Sequence, residues 1–178
     1  MTQDRDIFRP ASNRSGVLNS QAAADVVVVR PATFGDLWGV SRLQKRAFRP
    51  PLAYGLPALL LLWLLPHVKF LVAKEGDKYV GCAIGDRQDD QSRVINICVD
   101  PSARRRGIGT HLLEQIEQLL PHGNLILMVE ETNADARRLY ARAGFTAVGT
   151  GRDYYGRGQH GIWMQKQRTN GGTPKVWC

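Results

Sequence analysis

A stretch in the middle of the chain constrains the fold more than any other. The apolar segment 93–99 runs through Asp100-Pro101 into a basic loop, and the loop leads directly into the segment 107–120. β-branched and aliphatic residues before the loop are typical of a buried strand, and apolar residues at helical spacing after it are typical of a helix packed on a sheet. The chain therefore contains a strand, a loop and a helix in sequence, which predicts an α/β fold.

The loop itself has the composition of an anion-binding site. Backbone N–H groups at the start of a helix attract phosphate, and Gly107 and Gly109 carry no Cβ atom to obstruct its approach. The side chains of Arg104, Arg105 and Arg106 add positive charge that suits a phosphorylated ligand. An ordinary basic loop with glycines at a tight turn explains the same residues, so this segment alone leaves both interpretations open.

Hydrophobic patterning along the rest of the chain predicts the element order βααβββαβαββ. The predicted strands cover 26–29, 69–74, 78–86, 93–99, 125–129, 146–152 and 161–167, and the predicted helices cover 33–48, 56–65, 107–120 and 132–143. Short polar breaks between the second, third and fourth strands suit antiparallel hairpins. We therefore expect one α/β domain over 25–168, with a mixed, mostly antiparallel sheet flanked by helices, a flexible leader over 1–24 and a flexible tail over 169–178.

Charge and composition restrict the partners and the compartment. The formal net charge of +8 on 178 residues is compatible with nucleic acid, an anionic membrane or an anionic ligand, and charge alone does not choose among them. Three widely spaced cysteines predict a reducing compartment and no metal site. Because no signal sequence is recognisable and the apolar run 56–65 is much shorter than the roughly 20 residues that a spanning helix needs, we expect a cytoplasmic protein without a membrane partner.

Two motifs resemble those of the GCN5-related N-acetyltransferases, the GNAT family. The pattern Arg104-x-x-Gly107-x-Gly109 resembles the acyl-CoA-binding motif of that family. The pattern Asn133-x-x-Ala136-x-x-Leu139-Tyr140-x-x-x-Gly144-Phe145 resembles its second motif. Both motifs occur in the family's order, and the predicted elements over 26–168 follow the same order, so the resemblance implies the GNAT fold for the whole domain.

Two shorter segments are similar to one branch of the family. Val99-Asp100-Pro101 before the basic loop and Arg152-Asp153-Tyr154-Tyr155 after the second motif resemble bacterial ribosomal-protein alanine N-acetyltransferases and related enzymes that acetylate protein N-termini. In those enzymes a double-tyrosine hairpin helps to hold the first residues of the acceptor. The resemblance implies this substrate-binding role for Tyr154 and Tyr155.

The family resemblance also implies acetyl-CoA as co-substrate, without a metal. Backbone groups of Ile97 and Val99 pair with the pantetheine arm, those from Arg105 to Thr110 hold the pyrophosphate, and Asn133 contacts the cofactor beyond the pantetheine. The implied cofactor-binding residues are Ile97, Cys98, Val99, Arg104, Arg105, Arg106, Gly107, Ile108, Gly109, Thr110 and Asn133.

Tyr140 is the implied general acid, which protonates the departing thiolate of coenzyme A. A packed aromatic residue is the competing interpretation, because Ala136, Leu139 and Ala143 already form the buried stripe of the same helix. Tyr140 lies at the edge of that stripe, which is compatible with a solvated hydroxyl. Cys98 is interpreted as a small strand residue near the thioester, since direct attack by an amine needs no covalent enzyme intermediate.

A general base is the one part of the site that the pattern does not supply. Relatives that acetylate N-termini often carry Glu or His five residues before the Asn, where this chain has Met128. Glu130 has the same strand parity as Met128 and is the alternative base, although an acid at a strand end is also explained by simple solvation. An α-amine with a pKa of about 8 needs a base far less than a Lys amine near 10.4, so an N-terminal acceptor suits this site better.

The acceptor of the acetyl group remains open between several classes. A protein N-terminal amine, with the enzyme working near a ribosome, is the first hypothesis, and a small-molecule amine is the nearest enzymatic alternative. From a different class, the chain could bind acyl-CoA as a sensor or bind nucleic acid without catalysis, and Met128 is the residue that favours this alternative. The sequence does not predict the oligomeric state.

Overall fold

One eight-stranded sheet with helices on both faces forms the fold in this computed structural model, which describes residues 6–8, 26–88, 91–120 and 123–168. The strands are β1 Asp6–Phe8, β2 Val27–Pro31, β3 Val68–Glu75, β4 Lys78–Gln88, β5 Gln91–Val99, β6 Asn124–Glu130, β7 Thr146–Gly151 and β8 Gly161–Lys166. The helices are α1 Leu37–Ala47, α2 Leu56–Leu64, α3 Ile108–Leu119 and α4 Ala134–Arg142. The strand order is β1-β2-β3-β4-β5-β6-β8-β7, and every neighbouring pair is antiparallel except β5 and β6.

The predicted α/β fold and its mixed, mostly antiparallel sheet are confirmed. One strand is additional: β1 pairs antiparallel with Val27–Val29 of β2 and caps an edge that the sheet would otherwise expose. These three residues lie in the segment for which the sequence predicts a flexible leader. The rest of that leader and the predicted tail over 169–178 lie outside the described residues.

Each face of the sheet carries its own hydrophobic core. Strand β3 shows the division, because Leu71 and Ala73 pack in the cluster that contains α3, whereas Phe70 and Val72 pack in the cluster that contains α1 and α2. Successive side chains of a strand point to opposite faces, so a run of apolar residues is buried on both sides. The central strands are thereby held between two helical layers, which gives the sheet a fixed shape.

A buried carboxylate fixes the start of α1. Thr33 and Asp36 form a capping box, with Thr33 N–H and Oγ1 both donating to Asp36 Oδ2 at 2.7 Å. Arg30 donates to both carboxylate oxygens at 2.7 Å, and the Tyr79 hydroxyl donates at 2.8 Å. Burial alone would raise the pKa of Asp36. The hydrogen bonds outweigh this effect and hold the pKa well below its usual value.

We expect Asp36→Asn to lower the free energy of unfolding by about 3 kcal/mol at neutral pH, because it leaves the Arg30 guanidinium without its buried partner. Since the folded-state pKa of Asp36 lies below its unfolded value, the carboxylate stabilises the native state above about pH 4 and loses that contribution as the pH falls further. Urea denaturation between acidic and neutral pH measures both effects. The exposed Asp77→Asn variant is the control and should change stability by less than about 0.5 kcal/mol; an equal loss in both variants would contradict the assignment.

Candidate acyl-CoA and acceptor site

A cleft opens where the two parallel strands separate. Strands β5 and β6 pair only from Gln91 opposite Asn124 to Val94 opposite Leu127. On the other side of β5, Gly85 pairs with Val94 and Ile84 with Asn96, so one residue of β5 is left over as a bulge. Because a bulge bends its strand, the C-terminal half of β5 turns away from β6 and leaves one of its edges open.

The backbone groups of β5 that face this cleft can be identified from the pairing. Asp100 N–H donates to the carbonyl of Val80 on β4 at 2.9 Å. Backbone groups of alternate residues point to opposite edges of a strand, so those of Cys98 also face β4, whereas the N–H and C=O of Ile97 and Val99 face the cleft. A ligand lying along this edge can therefore hydrogen-bond to Ile97 and Val99 as an added strand would.

A groove of about 970 Å³ follows the cleft and is within the size range of small-molecule sites. Among its lining residues are almost all of the sequence-predicted ones: Ile97, Cys98, Val99, Arg104, Arg105, Gly107, Ile108, Gly109, Thr110, Glu130, Asn133 and Tyr140. The structure thus brings together segments of the chain that are more than forty residues apart in sequence.

The loop between β5 and α3 has the backbone geometry of an anion site. Arg105 has φ +62° and Gly107 has φ +81°, both in the left-handed region. Left-handed residues in a short loop turn successive N–H groups toward one concave side, where an anion binds. A Cβ atom at Gly109 would lie 3.5 Å from both Leu139 and Val99, an ordinary contact, so internal packing does not require glycine there. The residues present therefore fit a pyrophosphate group.

Asp100 holds this loop in place. Its Oδ1 accepts hydrogen bonds from Ser102 N–H at 3.0 Å and Ser102 Oγ at 2.7 Å, and its Oδ2 accepts one from Arg46 Nε at 2.9 Å. Burial by itself raises the pKa of Asp100, but the Ser102 and Arg46 hydrogen bonds lower it further than burial raises it. The carboxylate thus ties the loop to the last turn of α1.

The arginines of the loop are not equivalent. Arg104 and Arg105 line the groove, and Arg104 also donates to the carbonyls of Val99 at 3.5 Å and Ala47 at 3.3 Å. The Arg106 guanidinium instead forms an ion pair with Glu75 at the end of β3 and does not line the groove. The Arg106 side chain therefore attaches the loop to the sheet. The sequence predicted its charge at the phosphate site instead.

The groove is also lined by three arginines that the sequence motifs did not indicate: Arg49 and two on α4. Arg138 and Arg142 lie on α4 at a spacing of four residues, so they share one helix face. The sequence shows that Arg138 and Arg142 are four residues apart. It does not show which way their shared helix face points, because that depends on how α4 packs on the sheet. Asn133 caps the same helix, with its Oδ1 accepting from Ala136 N–H at 3.1 Å.

Tyr140 lies at the floor of the groove and is only 7% exposed. Its ring packs against Phe145 with the ring centroids 5.8 Å apart, and no described residue hydrogen-bonds to its hydroxyl. Burial raises the pKa of Tyr140 to about 12. The phenol therefore stays protonated at neutral pH, and its proton faces a groove instead of a protein acceptor.

One guanidinium that lines the groove links two separate elements of the fold. Arg49, which follows α1, donates to Glu130 Oε1 at 2.5 Å and to Gln159 Oε1 at 2.7 Å. Glu130 ends β6 and Gln159 lies in the connection from β7 to β8, so Arg49 joins two separate walls. The predicted alternative base is therefore held in an ion pair. Sequence patterns did not single out Arg49, since only the folded chain places it across the groove.

Met128 and the two hairpin tyrosines lie on the same two elements. Met128 packs over Gly161, where its Sδ would be 2.4 Å from an added Cβ, so that glycine is required by close packing. The Tyr155 hydroxyl donates to the Met128 carbonyl at 3.0 Å and anchors the hairpin on β6. Tyr154 is more than half exposed and stacks edge-on against Tyr155, with centroids 4.9 Å apart. Neither tyrosine is among the residues that line the groove itself.

In the part of the chain described here, Cys98 is unreactive, and neither a group of metal ligands nor a membrane-spanning helix is found. Hydrogen bonding to Cys82 and burial together raise the pKa of the Cys98 thiol far above its usual value, so Cys98 remains a neutral thiol. No cluster of three or more potential metal ligands occurs among the described residues. None of the helices in the described ranges is both long and apolar enough to span a membrane.

Comparison with known proteins identifies the family. Residues 37–145, more than half of the chain, match the family model of the acetyltransferase (GNAT) family. The chain belongs to the GNAT family, and it is an acyltransferase. The predicted family membership is confirmed.

Individual relatives are similar over different lengths. The uncharacterized N-acetyltransferase MJ1530 of Methanocaldococcus jannaschii is 28% identical over 154 residues, covering 84% of this chain and 97% of the relative. The ribosomal protein bS18-alanine N-acetyltransferase of Salmonella typhimurium is 39% identical over 82 residues, covering 44% of this chain and 55% of the relative. The second match thus spans only about half of that enzyme.

Solved structures show the same fold. The ribosomal-protein-S18-alanine N-acetyltransferase of Escherichia coli matches with a TM-score of 0.73 and 23% identity, over 85% of this chain and 99% of that chain. YncA of Salmonella typhimurium, solved with its cofactor acetyl-CoA, matches with a TM-score of 0.70 and 19% identity, over 85% of this chain and 99% of that chain.

We expect Gly107→Ala to weaken binding of coenzyme A by about tenfold, because the left-handed φ of this residue costs an alanine roughly 1 to 2 kcal/mol and distorts the anion site. Isothermal titration calorimetry measures the change. Gly76→Ala is the matched control, since Gly76 also has a positive φ but lies in the turn between β3 and β4 with open space around it. The control should lose similar stability and keep its affinity; a matching loss of affinity in the control would show that the effect is one of stability alone.

Proposed function

We propose that the protein transfers an acetyl group from acetyl-CoA directly to the N-terminal α-amine of a protein, of the kind presented by ribosomal proteins. The observation that carries the proposal is the open edge of β5, where the backbone groups of Ile97 and Val99 face a groove that has Tyr140 at its floor. The family supports acetyl transfer, and the acceptor class rests on the chemistry of the site and on its relatives.

The cofactor end of the groove is assigned to this chain's backbone. Ile97 and Val99 would hydrogen-bond the pantetheine arm, the loop from Arg105 to Thr110 would hold the pyrophosphate, and Asn133 lies further along the groove. When bound, acetyl-CoA supplies an activated acetyl thioester. The YncA structure with acetyl-CoA supports this choice of co-substrate.

Two groups of the chain act on the transfer itself. The Val99 N–H faces the cleft and would donate a hydrogen bond to the oxygen that gains negative charge, which stabilises that charge. The amine nitrogen would bond to the acetyl carbon as the carbon–sulfur bond breaks, and Tyr140, protonated in its buried position, would give its proton to the departing thiolate. The proton that the amine loses would pass to water, and the Tyr140 phenolate would regain a proton from water. Tyr140 is therefore the proposed general acid.

Among the described residues, neither of the two candidate positions for the base, Met128 and Glu130, offers a free proton acceptor, which favours an α-amine acceptor. Met128 cannot accept a proton, and the Glu130 carboxylate is engaged by Arg49. An α-amine is appreciably neutral near pH 7.5, whereas only about one lysine amine in a thousand is neutral there. A site without a strong base thus acetylates an N-terminus far more readily than a lysine. The likeness to the bS18-alanine enzyme of Salmonella typhimurium supports a ribosomal-protein N-terminus in particular.

The acceptor end provides a place for an extended peptide. The exposed ring of Tyr154 and the anchored ring of Tyr155 lie in the β7–β8 connection, next to the walls joined by Arg49. Aromatic rings present large apolar surfaces with a polar end, which suits the first side chains of a peptide. Tyr154 and Tyr155 are therefore the proposed acceptor-binding residues.

Replacing Tyr140 by Phe should lower kcat by roughly a hundredfold, the usual effect of losing a general acid, with an unchanged affinity for acetyl-CoA. Release of the coenzyme A thiol measures the rate, and calorimetry measures the affinity. The melting temperature should not fall, because the hydroxyl has no hydrogen-bond partner among the described residues. A variant with the wild-type rate would show that Tyr140 is a packed aromatic residue only.

The pH dependence of kcat/KM distinguishes the acceptor classes. With a peptide that begins with Ala and has no lysine, the rate should rise about tenfold per pH unit up to about pH 8 and then level off, since neutral α-amine is the reactive form. With an N-terminally blocked peptide containing one lysine, the rate should be lower by about two orders of magnitude near pH 7.5 and still rise at pH 10. Deprotonation of Tyr140, whose pKa is about 12, should not reduce the rate in this range.

Faster acetylation of the lysine peptide would exclude the proposed acceptor, and no turnover with any amine despite binding of acetyl-CoA would favour a sensor.

A further inference from the structure

An acid-free stretch of the chain contains both α1 and α2. From residue 37 to residue 74 there is no Asp or Glu, and this stretch contains six basic residues: Arg42, Lys45, Arg46, Arg49, Lys69 and Lys74. Arg46, Arg49 and Lys74 form ion pairs with acids from other parts of the chain. Arg42 and Lys45, both on α1, form no ion pair with any described residue, so their charge is available to a partner.

Large apolar side chains are exposed on the same side. Phe34, Trp38, Leu61 and Leu64 are each at least 60% exposed. Trp38, Arg42 and Lys45 follow at helical spacing on the outer stripe of α1, and the Arg42 guanidinium lies 5.6 Å from the centre of the Trp38 ring.

The exposed residues of the two helices are contiguous. Trp38 is one helical turn from Phe34, and the Phe34 ring lies 5.9 Å from that of Trp63 on α2. Leu61 and Leu64 are the exposed leucines of α2 and lie one turn apart. We name Phe34, Trp38, Arg42, Lys45, Leu61 and Leu64 together the α1–α2 face, since the Phe34–Trp63 contact joins the outer stripe of α1 to α2.

The composition of α2 requires an explanation that the folded domain does not provide. Every residue of Leu56–Leu64 is apolar, yet Leu59 is its one fully buried side chain. A helix that is apolar all round is normally buried, whereas a surface helix normally turns a polar stripe to water. Exposed leucines on such a helix indicate that something apolar covers this face.

We propose that the α1–α2 face lies on an anionic lipid bilayer. Trp and Phe reside at the boundary between headgroups and acyl chains, leucines reach the acyl chains, and Arg and Lys pair with lipid phosphates. Single-stranded RNA offers stacking to Phe34 and Trp38 but no apolar phase for Leu61 and Leu64. A second copy of the same face would bring like charges together without an acid to pair with them.

This surface requires no spanning segment. The sequence predicted no membrane partner because no apolar run is long enough to cross a bilayer, but a face of about two helices can rest in the headgroup region with its side chains only. The inference is also independent of the acetyl-transfer reaction, since none of the six residues of the α1–α2 face lines the groove.

Co-sedimentation of the full chain with lipid vesicles tests the proposal. Binding should be at least about tenfold tighter to vesicles of roughly seven parts phosphatidylcholine and three parts phosphatidylglycerol than to phosphatidylcholine alone, and it should weaken with added salt. The double variant Leu61→Ser and Leu64→Ser should bind the anionic vesicles about a hundredfold less tightly, because each leucine loses its apolar burial. The double variant Arg42→Gln and Lys45→Gln should lose about fivefold per removed charge.

Matched controls lie on the opposite side of the sheet. Leu119→Ser removes an exposed leucine from α3, and Arg137→Gln removes an exposed charge from α4; both variants should bind vesicles as the wild type does. Melting temperatures show that each variant is folded. Absence of binding to anionic vesicles, or equal loss in the Leu119 and the Leu61/Leu64 variants, would overturn the proposal. Tighter binding to a single-stranded RNA, unaffected by the leucine substitutions, would overturn it in favour of nucleic acid.

Discussion

The separation of β5 from β6 is the structural feature on which the site depends. Parallel pairing ends at Val94 and Leu127 because a bulge in β5 bends that strand toward β4. Two consequences follow from this one departure from regular pairing. The N–H and C=O groups of Ile97 and Val99 are left without a partner on the β6 side, and the opened cleft reaches Tyr140 on α4. An uninterrupted ladder would close the groove and satisfy the same backbone groups internally.

The two ends of α1 are held by buried carboxylates that lie outside the groove. Asp36 fixes the start of α1 through Arg30, Thr33 and Tyr79, and Asp100 fixes the phosphate loop to the end of the same helix through Arg46. Both carboxylates are almost fully buried and hydrogen-bonded in their charged form, which is the condition under which a buried charge stabilises a fold. Helix α1 therefore connects the sheet to the loop after β5, so the sheet and the loop keep a fixed position relative to each other.

The fold could be predicted from the sequence because its signals are local. Thr33 and Asp36, Gly144 and Phe145, and the apolar period of α3 each mark an element boundary within a few residues, and the structure confirms those elements. The two motifs are local as well, and the structure places most of their residues along one groove. The ion pair that removes Arg106 from the groove and the bridge formed by Arg49 were not predictable, since their partners Glu75, Glu130 and Gln159 are remote in sequence. The leading strand β1 was missed because three residues carry too little pattern to indicate pairing.

The bridge from Arg49 to Glu130 and Gln159 divides the proposed site into a cofactor half and an acceptor half. Main-chain atoms shape the first half, and side chains shape the second. The half proposed for the cofactor presents main-chain groups of β5 and of the loop that follows it, and every residue type supplies such groups. The half proposed for the acceptor is instead crossed by hydrogen bonds from one guanidinium to two side chains of separate elements. A single substitution of Arg49 would therefore change that half without disturbing the sheet.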